Sequence, residues 1–329
     1  MAILVTVPGS TSAAGGAPLL VHVYAPYFET YAAGSITTIA RRSGTRHFTL
    51  AFLNTLGRSS CRLAWNGNKT QTLSSRRYVS DVTSLRALGG DAFASFGGQA
   101  ADGAGSEIAD SCKSVKAIAD AYESVIRTYD VTRLDMDVEG KSLNRIGGID
   151  RRNKAIKFVE AWASGQGRSL QISYTLPASP SGLEPAALAV LQSARANGAR
   201  VDLVNIMAFD YYDGVTADMG GAAISAARGL FRQLKRLYPA KTRTQLWAME
   251  GITIMPGVDD YPKKTEVTRL SDAKRVYDFA NSVRLSTLSI WSIQRDNGGC
   301  PGQAGSDTCS GIVQDSWDFS HILEAFTGP

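Results

Sequence analysis

The chain has 329 residues, 44% of them hydrophobic, which is enough for a large core and excludes a disordered chain. Lys and Arg number 35 against 30 Asp and Glu, leaving a formal charge of +5. The cations fall in short pairs such as Arg41-Arg42, Arg76-Arg77 and Arg151-Arg152, with no basic stripe interleaved with aromatics. That pattern reads as an ordinary solvated surface and argues against nucleic acid as a partner.

No apolar run is long enough to span a bilayer, so no membrane partner is expected. Residues 1–18 are linker-like: a short apolar start is followed by Pro8-Gly9-Ser10-Thr11-Ser12 and more Ala, Gly and Pro. They are expected to be a linker or a foreign leader, the cut end of a longer chain from which a signal or module is missing. A single domain is expected over 19–329.

Strand-like runs, short and rich in β-formers, recur at 19–24, 47–53, 92–96, 133–138, 170–176, 203–209, 246–254 and 287–292. Helical patterns fall between them. The 111–129 stretch places Val115, Ile118, Tyr122, Val125 and Ile126 at helical spacing, with Ser111 as its cap. A second pattern covers 151–163, with Phe158 and Trp162 on its apolar face. A third covers 184–197 and is stopped by Gly198, and the last amphipathic piece is 317–326. Eight such units predict an α/β fold, a (β/α)8 TIM barrel in one domain. A doubly wound open sheet is the rival, but its first turn would carry phosphate-binding glycines, and here that turn reads Ala25-Pro26-Tyr27-Phe28.

The most informative segment runs Arg133-Leu134-Asp135-Met136-Asp137-Val138-Glu139. Strand side chains alternate faces, so Asp135, Asp137 and Glu139 share one face, which in a barrel is the interior. At about 3.3 Å rise per residue, neighbouring acids lie roughly 6.6 Å apart along the strand. Three carboxylates in so dry a place are costly, so at least one should hold a proton near neutral pH and serve as a general acid. Glu139 is nearest the mouth, Asp137 can pass a proton between its neighbours, and Asp135 sits deepest. A divalent metal is the competing use of these acids. His22, His47 and His321 are far apart and no Cys/His spacing supports a site, so no metal and no cofactor are expected. Cys300 and Cys309 bracket a Gly/Pro/Ser-rich stretch. Of the three pairings four cysteines allow, Cys61–Cys112 with Cys300–Cys309 is favoured, and it suits a secreted protein.

Asp135-x-Asp137-x-Glu139 on a fourth strand resembles the catalytic signature of family 18 glycoside hydrolases, the chitinases and their relatives. Ser95-Phe96-Gly97-Gly98 is similar to that family's Ser-x-Gly-Gly motif on the third strand. Met207-Ala208-Phe209-Asp210-Tyr211 falls where the family has Met-x-Tyr-Asp on the sixth, and Trp291 matches its eighth-strand tryptophan. The resemblance spans residues 19–326 and implies a secreted bacterial-type chitinase domain. Glu139 would then be the acid, Asp137 its partner and Asp135 the deep member. Asp210 and a tyrosine would complete the catalytic set, while Met207, Ser95, Gly97, Gly98 and Trp291 would form the sugar site. The sequence departs from the pattern at Thr132 and Arg133, where the family has aspartate and glycine. Thr132 is expected to shorten the deep end of the proton network. Phe209 lacks the motif tyrosine's hydroxyl, and Tyr211, two residues on with the same strand parity, is expected to supply it.

Sugar faces pack on flat rings, so Trp291 is the expected floor, with Tyr24 and Trp65 as further candidates. Trp247 fits either a core or a site role. The resemblance implies a retaining mechanism in which the substrate's own acetamido oxygen attacks the anomeric carbon. The leading expectation is a secreted, monomeric hydrolase of chitin and chitooligosaccharides, with a carbohydrate-binding module elsewhere in a longer chain. An endo-acting enzyme on glycoprotein chitobiose cores and a non-catalytic chitin-binding lectin share the fold. The acid at Glu139 argues against the lectin. The short span between the seventh and eighth strands predicts no inserted domain and an open groove.

Overall fold

The computed structural model of this chain describes residues 21–260 and 265–328. The linker-like stretch 1–18 lies outside the described residues. The barrel strands are β1 (Val23–Tyr24 with Tyr27–Glu29), β2 (His47–Thr55), β3 (Asp91–Gly97) and β4 (Arg133–Asp137). They continue as β5 (Gln171–Ser179), β6 (Leu203–Met207), β7 (Glu250–Ile254) and β8 (Thr287–Ile290). All neighbouring pairs are parallel, and the order closes on itself because β1 is split. Its first half pairs with β8 and its second half with β2. Pro26 has no N–H to give, and its carbonyl accepts from Thr49 N–H at 2.9 Å as the strand changes partner.

Among the described residues, one main helix follows each strand, with short extra helices in the loops. The main helices are α1 (Ile36–Ser43), α2 (Val79–Ala87), α3 (Val115–Tyr129), α4 (Ile146–Gly165), α5 (Pro185–Ala196), α6 (Met219–Leu237), α7 (Leu270–Val283) and α8 (Asp318–Leu323). The α/β barrel expected from the alternation is the fold observed. Leu134, Met136 and Val138 point outward and are buried against this helical ring, as their parity requires.

Several boundaries differ from expectation for local reasons. The cap of α3 is Ser114, whose hydroxyl accepts from Ala117 N–H, and Ser111 instead ends a separate turn, Ile108–Ser111. Thr242 and Gln245 form a capping box that starts a short helix, Arg243–Trp247. That box takes Leu246 and Trp247 out of the expected strand. Trp247 stacks on Phe231 at 4.3 Å in the helical layer, so it is core. Phe158, expected in the core, is 60% exposed on α4.

Both expected disulfides are present, Cys61–Cys112 and Cys300–Cys309. Between β7 and α7 the described residues add only a hairpin, Gly257–Val258 paired with Val267–Thr268. No helix is long and apolar enough to cross a membrane.

Candidate active site

The strand β4 acids converge at the C-terminal mouth of the barrel, where barrel sites form. A cleft of about 270 Å³ opens there, and Asp137 and Glu139 both line it. Regular pairing ends at Asp137, but Val138 N–H still donates to Thr175 O and Glu139 stays extended, with φ −130°. The face-sharing of the three acids therefore survives to the end of the column.

Each acid has a different environment. Asp135 is buried beneath the cleft and held by hydroxyls. Ser95 Oγ donates to its Oδ2 at 2.7 Å, Thr175 Oγ1 to its Oδ1 at 2.8 Å, and the Tyr27 hydroxyl lies 3.0 Å from Oδ2. Burial raises its pKa, and those hydroxyls pull it back. Asp137 is buried too, and its Oδ1 has no partner among the described residues. Burial first, then the charges of Glu139 and Asp135, hold its pKa well above the carboxylate range. Glu139, hydrogen-bonded to Asp137, is pushed up to about 7, chiefly by burial, with the Asp102 carboxylate adding to the rise. The rise at both carboxyls favours a proton held within the Asp137–Glu139 pair at neutral pH.

The deep end of the column is not as expected. Residue 132 has the wrong parity to face inward, so Thr132 neither lengthens nor shortens the acid line. Arg133 fills that place. Its Nε donates to Gln171 Oε1 at 2.5 Å, and its guanidinium lies 4.2 Å from the centre of the Phe93 ring. A fixed cation thus stands below Asp135 where the family pattern has glycine.

The cleft floor is aromatic. Trp291 stacks on Phe52 at 5.5 Å and 18° and meets Tyr27 at 5.5 Å. Met207, Phe209, Asp210 and Tyr212 form the wall after β6. Asp210 is pushed up to about 7 by burial and by the charges of Asp259 and Asp260.

Other expected sugar-site residues are elsewhere. Tyr24 points outward, its hydroxyl 3.0 Å from Ser320 Oγ, because it precedes the split in β1; Tyr27, three residues on, is the tyrosine that reaches the cleft. Trp65 is fully buried and donates from Nε1 to the Tyr129 hydroxyl at 2.9 Å. Ser95 lies beside Asp135 on the neighbouring strand and not among the cleft-lining residues. Gly97 and Gly98 work from behind. A Cβ on Gly97 would come within 2.0 Å of Asp137 O, and one on Gly98 within 2.5 Å of the Phe52 ring. Tyr211 does not take the place expected for it, because the strand does not stay extended. Asp210 and Tyr212 are left-handed, at φ 50° and 55°. This turns Tyr211 back against the cluster of Met207, Phe209, Met219 and Met255, and its buried hydroxyl has no partner among the described residues. Tyr212 faces the cleft instead.

Sequence reasoning also missed Tyr27, Phe52, Gln99, Thr175 and Thr253 as cleft residues. Thr175 and Thr253 carried a usable signal, since each is an inward-parity polar residue near the end of its strand. Among the described residues no group of His, Cys, Asp and Glu could hold a metal ion. An acid and its carboxyl partner over an aromatic floor can protonate a leaving oxygen and balance a developing positive charge.

Comparison with known proteins agrees with this geometry. Residues 21–269 match the family described as Glycosyl hydrolases family 18. The chain is 34% identical over 319 residues to a probable bifunctional chitinase/lysozyme of Escherichia coli, spanning 93% of this chain and 34% of that protein. It is 35% identical over 286 residues to Endochitinase 11 of Metarhizium anisopliae, covering 84% of this chain and 52% of that one. It therefore spans about a third to a half of the length of these curated relatives. The catalytic domain of a hyperthermophilic chitinase from Pyrococcus furiosus superposes with a TM-score of 0.82 at 32% identity, covering 94% of this chain and 96% of that domain. With the acid column, the barrel mouth and these likenesses together, the chain belongs to glycosyl hydrolases family 18.

Proposed function

We propose that this domain hydrolyses β-1,4-linked N-acetylglucosamine polymers and oligomers with retention, using the substrate's own acetamido group as nucleophile. The observation that carries the reading is the Asp137–Glu139 pair, two hydrogen-bonded carboxyl groups from one strand that both line the mouth of the cleft. The carboxyl across the cleft, Asp210, stands on the wall after β6 and not on this column, and the reading gives the nucleophile's part to the substrate's acetamido oxygen. In the first step Glu139 gives its proton to the glycosidic oxygen, and the bond from that oxygen to the anomeric carbon breaks. The acetamido oxygen bonds to the same carbon and forms an oxazolinium ion. Asp137, turning from Glu139 to the acetamido N–H, balances the positive charge. Glu139, now ionised, takes a proton from water, whose oxygen attacks the anomeric carbon and restores the acetamido group. Trp291 supports the ring from beneath. Two disulfides support action outside the reducing cytosol.

The test is hydrolysis of chitotriose beside an analogue lacking the N-acetyl group on the reacting sugar, with the anomer of the first product read by NMR. The acetylated substrate should be cleaved to the β anomer and the analogue should be nearly inert. Glu139→Gln should lower kcat by roughly 100-fold or more while still binding oligosaccharide. Equal cleavage of both substrates, or an α product, rejects the mechanism. Release of glycans from a glycoprotein with no action on chitotriose would instead favour the chitobiose-core activity.

A further inference from the structure

The β6 loop is built around two carboxyl groups that do not belong to it. Asp210 N–H donates to Asp259 Oδ2 at 3.1 Å, Tyr211 N–H to Glu266 Oε2 at 2.8 Å, and Tyr212 N–H to Glu266 Oε1 at 2.9 Å. Left-handed residues at 210 and 212 turn these three successive N–H groups towards one side, forming a concavity suited to an anion. Left-handed backbone is costly for a residue with a side chain, so the loop needs something to hold it.

The hairpin after β7 supplies that support. Gly257 pairs with Thr268 and Val258 with Val267, and Asp259 N–H donates to Glu266 O, so the two acids stand side by side. The hairpin itself is anchored. Val258 N–H donates to Ser310 O at 2.8 Å, and the buried Arg295 donates to Pro256 O and Val258 O. Glu266 and Asp259 are also hydrogen-bonded to each other, with Glu266 pushed up to about 7 mainly by burial and then by Asp259. A proton on Glu266 lets two acids sit on one nest without full repulsion.

We propose that Asp259 and Glu266 are positioning residues for substrate recognition, holding Tyr212 over the cleft as the hydroxyl donor to the acetamido carbonyl of the reacting sugar. This rests on the hydrolytic reading above. Phe209 lines the wall with no hydroxyl, Tyr211 is packed away, and Tyr212 is 53% exposed at the cleft, its hydroxyl hydrogen-bonded to Asp210, a partner it would exchange for the acetamido carbonyl when substrate binds. The hydroxyl lost at Phe209 is thereby replaced from a position that only a held, left-handed turn can reach.

A double-mutant cycle on chitotriose tests this, with amide hydrogen exchange as a second readout. Tyr212→Phe and Glu266→Gln should each lower kcat/KM by about 10-fold or more, and the double variant should be little worse than either single. In Glu266→Gln, exchange at the amides of Asp210, Tyr211 and Tyr212 should accelerate while the barrel strands keep wild-type protection. Losses that multiply in full, or unchanged exchange at 210–212, overturn the proposal. If Glu266→Gln fails to fold, Asp259→Asn is read in the same way, with exchange at residue 210 decisive. Should the wild-type protein not cleave chitotriose at all, the hydrolytic reading fails, yet the exchange data still decide whether the two acids hold the turn.

Discussion

Asp102 lies in the short helix Gln99–Ala104 that follows β3, and its Oδ1 accepts from Ser142 N–H at 2.9 Å, just beyond the acid Glu139. Gly140, at φ 47°, makes room for it, since a Cβ there would fall 2.5 Å from Asp102 Oδ2. Ser142 is gripped further by Asp110, which in turn pairs with Arg145 at 3.0 Å. Asp102 therefore fixes the turn and places a negative charge behind Glu139, and that charge helps raise Glu139 to about 7. The other titrating groups near Glu139 are Asp137 and Asp135 on its own strand, with Asp210 and Tyr212 across the cleft; none is changed by a substitution at 102. Asp102→Asn keeps an acceptor for Ser142 and removes the charge. Glu139 should then lose its proton at lower pH, so the alkaline limb of the kcat profile should move down by about half a pH unit. The acid limb and KM should stay where they were. A pH profile identical to wild type, or a uniform loss at every pH, would show that Asp102 acts through structure alone.

At the scale of single elements, β4 was readable and the β6 loop was not. Period-two alternation places Asp135, Asp137 and Glu139 on one face whatever their partners, so spacing alone located the column. Strand parity does not place Tyr211, because the strand ends at Met207 and the chain beyond it turns left-handed. The residues that turn it, Asp259 and Glu266, lie some fifty positions later and leave no local trace. Tyr24 failed because the split in β1 shifts the cleft-facing place to Tyr27. Strand β7 carries a second anomaly of facing. Thr253 faces the cleft, so Glu250, of opposite parity, turns outward into the helical layer, fully buried with no partner for either carboxyl oxygen among the described residues. Burial holds its pKa well above the ordinary 4.5. The folded state then binds more protons than the unfolded one above that value. Stability from this group is intact below it and falls as pH rises, by about 1.4 kcal/mol per unit while the group stays protonated. Glu250→Gln should raise the melting temperature at pH 7 by several degrees and have little effect near pH 4. Melting curves at the two pH values check this, and equal effects at both would mean that the carboxyl is not held neutral.

Across the whole molecule, the barrel closes through β1, and its mouth is then shaped by loops, one of them closed by Cys300–Cys309. Cys61–Cys112 links the loop after β2 to the segment after β3, across 51 positions, whereas Cys300–Cys309 closes a loop of 9. If chain entropy dominates, the longer crosslink contributes about 4 kcal/mol and the shorter roughly 3. Their functional weights should run the other way. The 300–309 loop leads into Ser310, whose carbonyl receives Val258 N–H and lies against Gly257 so closely that a Cβ there would come within 1.9 Å. That contact braces the hairpin bearing Asp259 and Glu266, and through them the wall of the cleft. Cys61 and Cys112 make no such contact with the cleft; Cys112 is buried in the core on the side of β2 and α3. Replacing Cys61 and Cys112 by Ser should therefore lower the melting temperature more than it lowers kcat/KM. Replacing Cys300 and Cys309 by Ser should give a smaller thermal loss and a kcat/KM several-fold below wild type, with faster amide exchange at residues 257–259. Thermal melts and chitotriose kinetics on the two double variants separate the roles. If the Cys300/Cys309 variant keeps full kcat/KM while melting earlier, the loop stabilises the barrel without bracing its active face.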